Sequence, residues 1–202
     1  HMTDAAQNMA VVAAEGVKVH FGAVKALDGV DLAIAPGECV GLVGHNGAGK
    51  STIVNVINGG LSPHEGKLRY AGRDAGNGIS VARANGVRCV FQELSLCPNL
   101  TVVENTRVMH SELRGWGWRR RALAIIRAKL DEIFPGHGID CSSTVGDLSI
   151  AERQMVEISI AFATVNEAAR LVILDEPTSS LAAPDVAMLM RLVRELRDEG
   201  VA

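Results

Sequence analysis

The sequence predicts an α/β fold: a mainly parallel sheet with an antiparallel β-subdomain at its front and an inserted α-helical segment. Three observations carry this. Cys39–Val43 and Leu171–Leu174 are short, nearly continuous apolar runs, as strands covered on both faces are. Val17–Phe21 and Val30–Ile34 instead alternate apolar and polar residues, the pattern of half-exposed antiparallel strands. Between them and the last apolar run, Leu123, Ile126, Leu130 and Ile133 recur at three- and four-residue intervals, which is helical spacing.

The order of elements follows from their punctuation. Pro36-Gly37 is a turn signal ahead of Cys39–Val43, and the glycine-rich stretch after that run leads into Thr52–Ile57, which can begin a helix. Arg119, Arg120, Arg121, Arg127 and Lys129 interleave with the apolar stripe of the long helix, and Pro135-Gly136 ends it. The stretch Trp116–Arg121 reads as a solvated helix face anchored by tryptophan. Another helix is expected from Ser149, burying Met155, Ile158 and Phe162. The last helix follows Pro184 and carries Val186, Leu189, Met190, Val193 and Leu196 on one stripe. One domain over residues 9–202 is expected, with its core in 9–93 and 165–202 and a helical subdomain in 94–164. His1-Met2 and the polar residues up to Asn8 are set aside as a loose end.

Composition narrows the class. With 48% hydrophobic residues in 202, the chain can bury a substantial core. A formal charge of −3 argues against a general nucleic-acid binder. No apolar run approaches the roughly 20 residues that span a bilayer, so any membrane role is expected to be peripheral. Cys39, Cys89, Cys97 and Cys141 form no CxxC pair and are expected to be buried, reduced thiols of a cytoplasmic protein.

The chemistry concentrates in Gly44-His45-Asn46-Gly47-Ala48-Gly49-Lys50-Ser51, which fits G-x-x-x-x-G-K-[ST] at every fixed position. Glycines let backbone amides close around phosphates, and the following helix turns its positive end to the same anion. Lys50 is the expected counter-charge for the β- and γ-phosphates, Ser51 a hydroxyl ligand for Mg²⁺, and Thr52 a further phosphate contact. His45 occupies a variable position and is read as a surface residue. Downstream, the apolar run Leu171–Leu174 delivers Asp175 and Glu176 to the carboxyl end of a strand, where open α/β sheets bind ligands. Asp175 suits the Mg²⁺ shell, and Glu176 can polarise a water attacking the γ-phosphate.

With those residues in hand, the chain resembles the ATP-binding domains of the ABC family from about Val11 onward. Phe91-Gln92-Glu93 resembles the Q-loop, Asp147–Gln154 the signature motif, and Leu171–Pro177 the Walker B strand with its following glutamate; Ser180-Leu181 stands where the D-loop begins. The resemblance implies a P-loop NTPase core, ATP and Mg²⁺ as ligands, and ATPase activity. It implies Gln92 at the metal or the attacking water, Phe21 as the aromatic under adenine, and Leu148, Ser149, Ile150, Ala151 and Glu152 facing the nucleotide of a second domain in a head-to-tail dimer. Implied partners are transmembrane permease subunits and, indirectly, a periplasmic sugar-binding protein. The implied location is the cytoplasmic side of the inner membrane, held peripherally.

The departures are specific. The usual LSGGQ is Leu148-Ser149-Ile150-Ala151-Glu152 here, and Glu157 follows where the family more often has a neutral residue. With Phe91–Asn105, this is similar to the first half of the tandem ATPases of bacterial ribose, galactose and xylose importers. Ala151 puts a methyl where a glycine approaches phosphate, and Ala182 stands where the D-loop usually carries Asp. The family's switch histidine lies beyond the last helix, whereas the last histidine here is His137. The resemblance therefore implies a fragment, truncated at its C-terminus, that binds nucleotide and hydrolyses it weakly. Two other functions fit the motifs: a soluble ABC ATPase without a permease, and a nucleotide-gated interaction module with little turnover.

Overall fold

The structure, a computed structural model, describes residues 9–45, 47–74, 76–91 and 95–202. Two long strands open it. β1 (Val12–Phe21) pairs antiparallel with β2 (Val24–Ile34), and on its other edge with β3 (Glu65–Tyr70), which continues to the short β4 (Arg73–Asp74). The order β2-β1-β3-β4 is the expected antiparallel subdomain, with longer strands than the alternation alone outlined. β1 is irregular between Ala14 and Val17, and the amide of Gly16 there donates to the Asp31 carboxylate at 2.6 Å. Opposite that kink Gly66 has φ +95°, and a Cβ on it would lie 2.6 Å from the carbonyl oxygens of Glu15 and Gly16. Only glycine lets β3 approach this closely in that conformation.

Helix α1 (Lys50–Ile57) lays Ile53, Val56 and Ile57 against this sheet, in a core with Val12, Val17, Val19, Leu27, Ile34 and Tyr70. The Tyr70 hydroxyl donates to the Ile57 carbonyl at 2.6 Å, pinning the end of α1 to β3. Burial pushes the Tyr70 phenol up to about 12, because phenolate has no water there. After α2 (Ile79–Ala84) come β5 (Val87–Val90) and, much later in sequence, β6 (Leu171–Leu174), which form a two-stranded ladder. Leu171 donates to Gly86 and Asp175 to Val90, so both strands advance together and the pair is parallel.

The chain divides into two compact units: one of 1–88, Ala169–Ile173 and Leu196–Ala202, the other of Cys89–Ala168 and Leu174–Glu195. In the second, α3 (Val102–Met109), α4 (Trp118–Ile133) and α5 (Ile150–Phe162) pack on one another. Of the predicted stripe of α4, Ile126, Leu130 and Ile133 are buried and Leu123 only half-buried, Ala122 taking its place in the core; the helix stops at Phe134 ahead of Pro135. His110 holds α3 to α5 through an Nε2 donation to the Ile160 carbonyl at 2.8 Å. The guanidinium groups of Arg107 and Arg119 each lie over the Trp118 ring, 4.4 and 4.7 Å from its centre, while Trp116 is fully exposed. α6 (Ala183–Asp198) carries Pro184 in its first turn and buries Leu189 and Leu192. Among the described residues no helix is long and apolar enough to cross a membrane.

Two expectations need correction. Cys39–Val43 is not a buried strand: it joins neither sheet, and Val40, Leu42 and Val43 are 41%, 46% and 89% exposed. An apolar run becomes a strand only where a neighbouring edge takes its amides and carbonyls; without one the backbone stays solvated and the side chains stay with it. The thiols are free as expected, but only Cys141 is buried; Cys39 and Cys97 are exposed.

Gly66→Ala is expected to cost about 1–3 kcal/mol of unfolding free energy in urea, from strain and close contact together. Ile126→Ala, at a fully buried position, is expected to cost about 2–5 kcal/mol. A loss under 0.5 kcal/mol for either would contradict the packing described.

Candidate functional site

The phosphate-binding candidate belongs to the first unit and begins where Cys39–Val43 gives way to Gly44. The Ala48 amide donates to the His45 carbonyl at 3.1 Å, forming a turn, and His45 is exposed, as its variable position suggested. Gly49, with φ +93°, is the N-cap of α1. A Cβ on Gly49 would sit 2.7 Å from the Ala26 carbonyl oxygen and 3.0 Å from Leu27 Cδ2, so the end of the loop lies directly on β2. Glycine at this position is therefore required twice, by conformation and by contact.

That choice has an electrostatic consequence. A glycine cap brings no side-chain acceptor, and α1 receives no side-chain cap hydrogen bond and has no acid in its first turn. The amides of Lys50, Ser51 and Thr52 thus end the helix at its positive pole without an internal anion. Lys50 Nζ donates to the Gly44 carbonyl at 2.6 Å, bringing the ammonium back over the loop it follows. Ser51 is exposed and Thr52 half-buried. A loop of glycines, an uncapped helix start, a nearby ammonium and an accessible hydroxyl form a donor set that suits a phosphate chain with its metal. Phe21, at the end of β1, is 53% exposed and leaves a ring face available. Asn46 and Gln92 lie outside the described residues.

In the second unit, the Asp175 amide donates to Val90 at 2.9 Å, carrying β6 one residue past its last pair. Asp175 is half-buried and Glu176 exposed, and Glu176 has φ +47°, a left-handed conformation that costs a non-glycine residue on the order of 1–2 kcal/mol. Pro177 is buried behind it. Among the described residues Ala71 shares this left-handed conformation, and the exposed carboxylate of Glu176 suits a residue that orients water. The thiol of Cys89, on β5, is pushed up to about 12 by burial, reinforced by the charges of Asp175 and Glu157.

The expected helix start at Ser149 is a full capping box. Ser149 Oγ accepts from the Glu152 amide at 3.2 Å, and a Glu152 carboxylate oxygen accepts from the Ser149 amide at 3.1 Å. Arg153 braces the turn from behind, donating to Leu148 and Gly146 carbonyls at 3.0 and 2.8 Å. Ile150 is 63% exposed, and Ala151 half-buried. Glu152 already places a negative charge at this helix start, so a phosphate addressing it must displace or share those amides.

Sequence reading did not anticipate the buried contacts made by Asn105 and Glu157. Asn105, 1% exposed, takes the Cys97 amide on Oδ1 at 2.8 Å and donates from Nδ2 to the carbonyls of Cys97, Leu100 and Thr101. Glu157, 3% exposed, accepts from both the amide and hydroxyl of Ser95; burial raises its carboxyl above the usual range. The sequence signal was Glu157 itself, a charge among the apolar residues Met155, Val156, Ile158 and Ile160 in the second half of its helix.

Comparison with known proteins agrees with this geometry. The ABC transporter family model matches residues 27–179. The chain is 41% identical over 191 residues to the ribose import ATP-binding protein RbsA of Chelativorans sp. (strain BNC1), covering 93% of this chain and 36% of that protein. It is 41% identical over 188 residues to the arabinose import ATP-binding protein AraG of Chromohalobacter salexigens, covering 92% and 37%. The chain thus spans a little over a third of these relatives' length. Among solved structures, a nucleotide-free ATP-binding cassette from an ABC transporter superposes with TM-score 0.76 at 26% identity, covering 96% of this chain and 79% of the other. The dimeric post-hydrolysis state of the ATP-binding cassette MJ0796, bound to ADP and Pi, gives 0.74 at 27% identity, with 94% and 84% covered. A glycine-capped loop closed by Lys50, the Asp175-Glu176 strand end and a family match across most of the chain agree, and the chain belongs to the ABC transporter family.

Proposed function

We propose that this chain is the nucleotide-binding part of the ATPase subunit of an ABC importer for a monosaccharide. The observation that carries the reading is the uncapped start of α1, with Lys50 folded over the loop, in a chain 39–41% identical to proteins named for ribose, arabinose and xylose import. Residues 9–202 act as one ABC domain, with 94–164 as its helical subdomain. The amides and side chains of Gly44, Asn46, Gly47, Ala48, Gly49, Lys50, Ser51 and Thr52 hold the phosphates, and Phe21 stacks under the adenine. Lys50 places a fixed charge against the β- and γ-phosphates. Ser51, Asp175 and Gln92 are oxygen donors suited to Mg²⁺, a hard cation. Glu176 orients and deprotonates the attacking water, with Gln92 as its neighbour in that task. When bound, ATP with Mg²⁺ supplies the phosphoanhydride bond whose cleavage the importer uses.

Leu148, Ser149, Ile150, Ala151 and Glu152 address the nucleotide held by a second such domain arranged head to tail. The further partners are permease subunits in the membrane and, through them, a periplasmic sugar-binding protein. The chain works peripherally at the cytoplasmic face of the inner membrane; nucleic acid is not among its partners.

Titration calorimetry with Mg-ATP is expected to detect binding, and Lys50→Ala to weaken it about 10–100-fold, the worth of a charge-assisted contact. Unchanged affinity would contradict the site. In the longer protein with its partners, Glu176→Gln is expected to lower steady-state phosphate release about 100-fold or more while leaving nucleotide affinity in place. Undiminished turnover would remove Glu176 from the chemistry.

A further inference from the structure

Two connecting segments of the second unit, residues 95–101 ahead of α3 and 141–149 ahead of α5, are stitched together. Val145 donates to the Leu100 carbonyl at 2.9 Å, Gly146 to Pro98 at 2.8 Å, and Val102 to Ser143 at 3.1 Å, with a bridge between Thr101 and Thr144. The fit is tight: a Cβ on Gly146 would lie 2.9 Å from the Pro98 carbonyl oxygen. Asn105 clasps the first segment from α3. At its far end, Ser95 is tied into α5: Glu157 Oε1 accepts from the Ser95 amide at 3.3 Å and from its hydroxyl at 2.8 Å. Ser95 stands three residues after Gln92, and Glu157 lies two turns along the helix that Ser149 caps.

The chemistry at Glu157 is expensive for a packing role. The carboxyl is 3% exposed, and its Oε2 is buried with no hydrogen-bond partner among the described residues. An apolar side chain of similar volume would fill the space without desolvating a carboxyl. What an apolar side chain lacks is an acceptor for both groups of Ser95.

We propose that Glu157 is a positioning residue: through Ser95 it fixes the segment 95–101 to the helix capped by Ser149. The two segments then move as one body, and a change at either is transmitted to the other. The consequence for nucleotide response rests on the function proposed above; the mechanical link does not.

Hydrogen exchange on the 202-residue chain tests both parts. Without nucleotide, residues 95–101 and 150–157 of the wild type are expected to open with a common protection. Glu157→Ala is expected to speed exchange at 95–101 about tenfold or more, the loss of a buried hydrogen-bonded anchor, and to leave α5 within about twofold. Glu157→Gln, whose amide oxygen still accepts from Ser95, is expected to stay near wild type, whereas Glu157→Met, of similar volume but without that acceptor, is expected to fail like alanine. Ser95→Ala should add little to Glu157→Ala. With saturating Mg-ADP, the wild type is expected to change exchange at both segments, and Glu157→Ala to lose the response at 150–153 while its affinity by calorimetry stays within about twofold. The proposal is overturned if Glu157→Ala leaves 95–101 protected, if Glu157→Gln fails like alanine, or if the coupled response survives the alanine. Absence of ADP binding to the wild type would instead overturn the site at Lys50, with the nucleotide-free exchange still deciding the link.

Discussion

The eight-residue helix Lys50–Ile57 begins at a glycine that brings no side chain to its cap, so the first amides of that helix must find their acceptors outside it. Thr101 with Glu104 and Ser149 with Glu152 each form a reciprocal box, whereas α1, like α2 and α4, starts at a glycine with no side-chain cap. What sets α1 apart is the ammonium of Lys50 folded back over the loop ahead of it. Gly49 is pressed onto Ala26 and Leu27 of β2, leaving no room for the serine or aspartate that would satisfy the amides. The Tyr70–Ile57 bond and the apolar face of α1 then hold the helix rigid behind its open end.

The second unit solves a different problem, which is joining distant stretches. Its three helices pack by ordinary apolar stripes, yet the segments leading into α3 and α5 are secured by polar side chains, Asn105 and Glu157 almost wholly buried and Arg153 half-buried. Asn105 satisfies four backbone contacts at once and Arg153 two more. Such clasps fix a backbone path more narrowly than apolar packing, because a hydrogen bond is lost over a fraction of an ångström of slip. Backbone strain falls at the exposed Glu176, with φ +47°, as it does at Ala71 of the first unit.

What could be read from sequence follows the range of the interactions. The Gly44–Ser51 loop was legible because its demands are local: glycines for the path, lysine for the charge, a helix immediately after. The start of α5 at Ser149 and the buried stripe of α4 were legible for the same reason, three- and four-residue spacing on one helix. Cys39–Val43 was misread because strand formation is decided by a neighbour that the segment itself does not specify. Ser95 and Glu157 are 62 residues apart, and nothing near either announces the other. The exposed thiols of Cys39 and Cys97 follow from loop positions that composition does not reveal.

The account stands on anions being taken up by the backbone amides that open α1. Amide NMR of the isotopically labelled chain during titration with Mg-ADP reports on those groups one at a time. The largest shifts are expected at Gly47, Gly49, Lys50, Ser51 and Thr52, saturating together with a single affinity. Shifts scattered over the surface, or none at these five while others saturate, would contradict it.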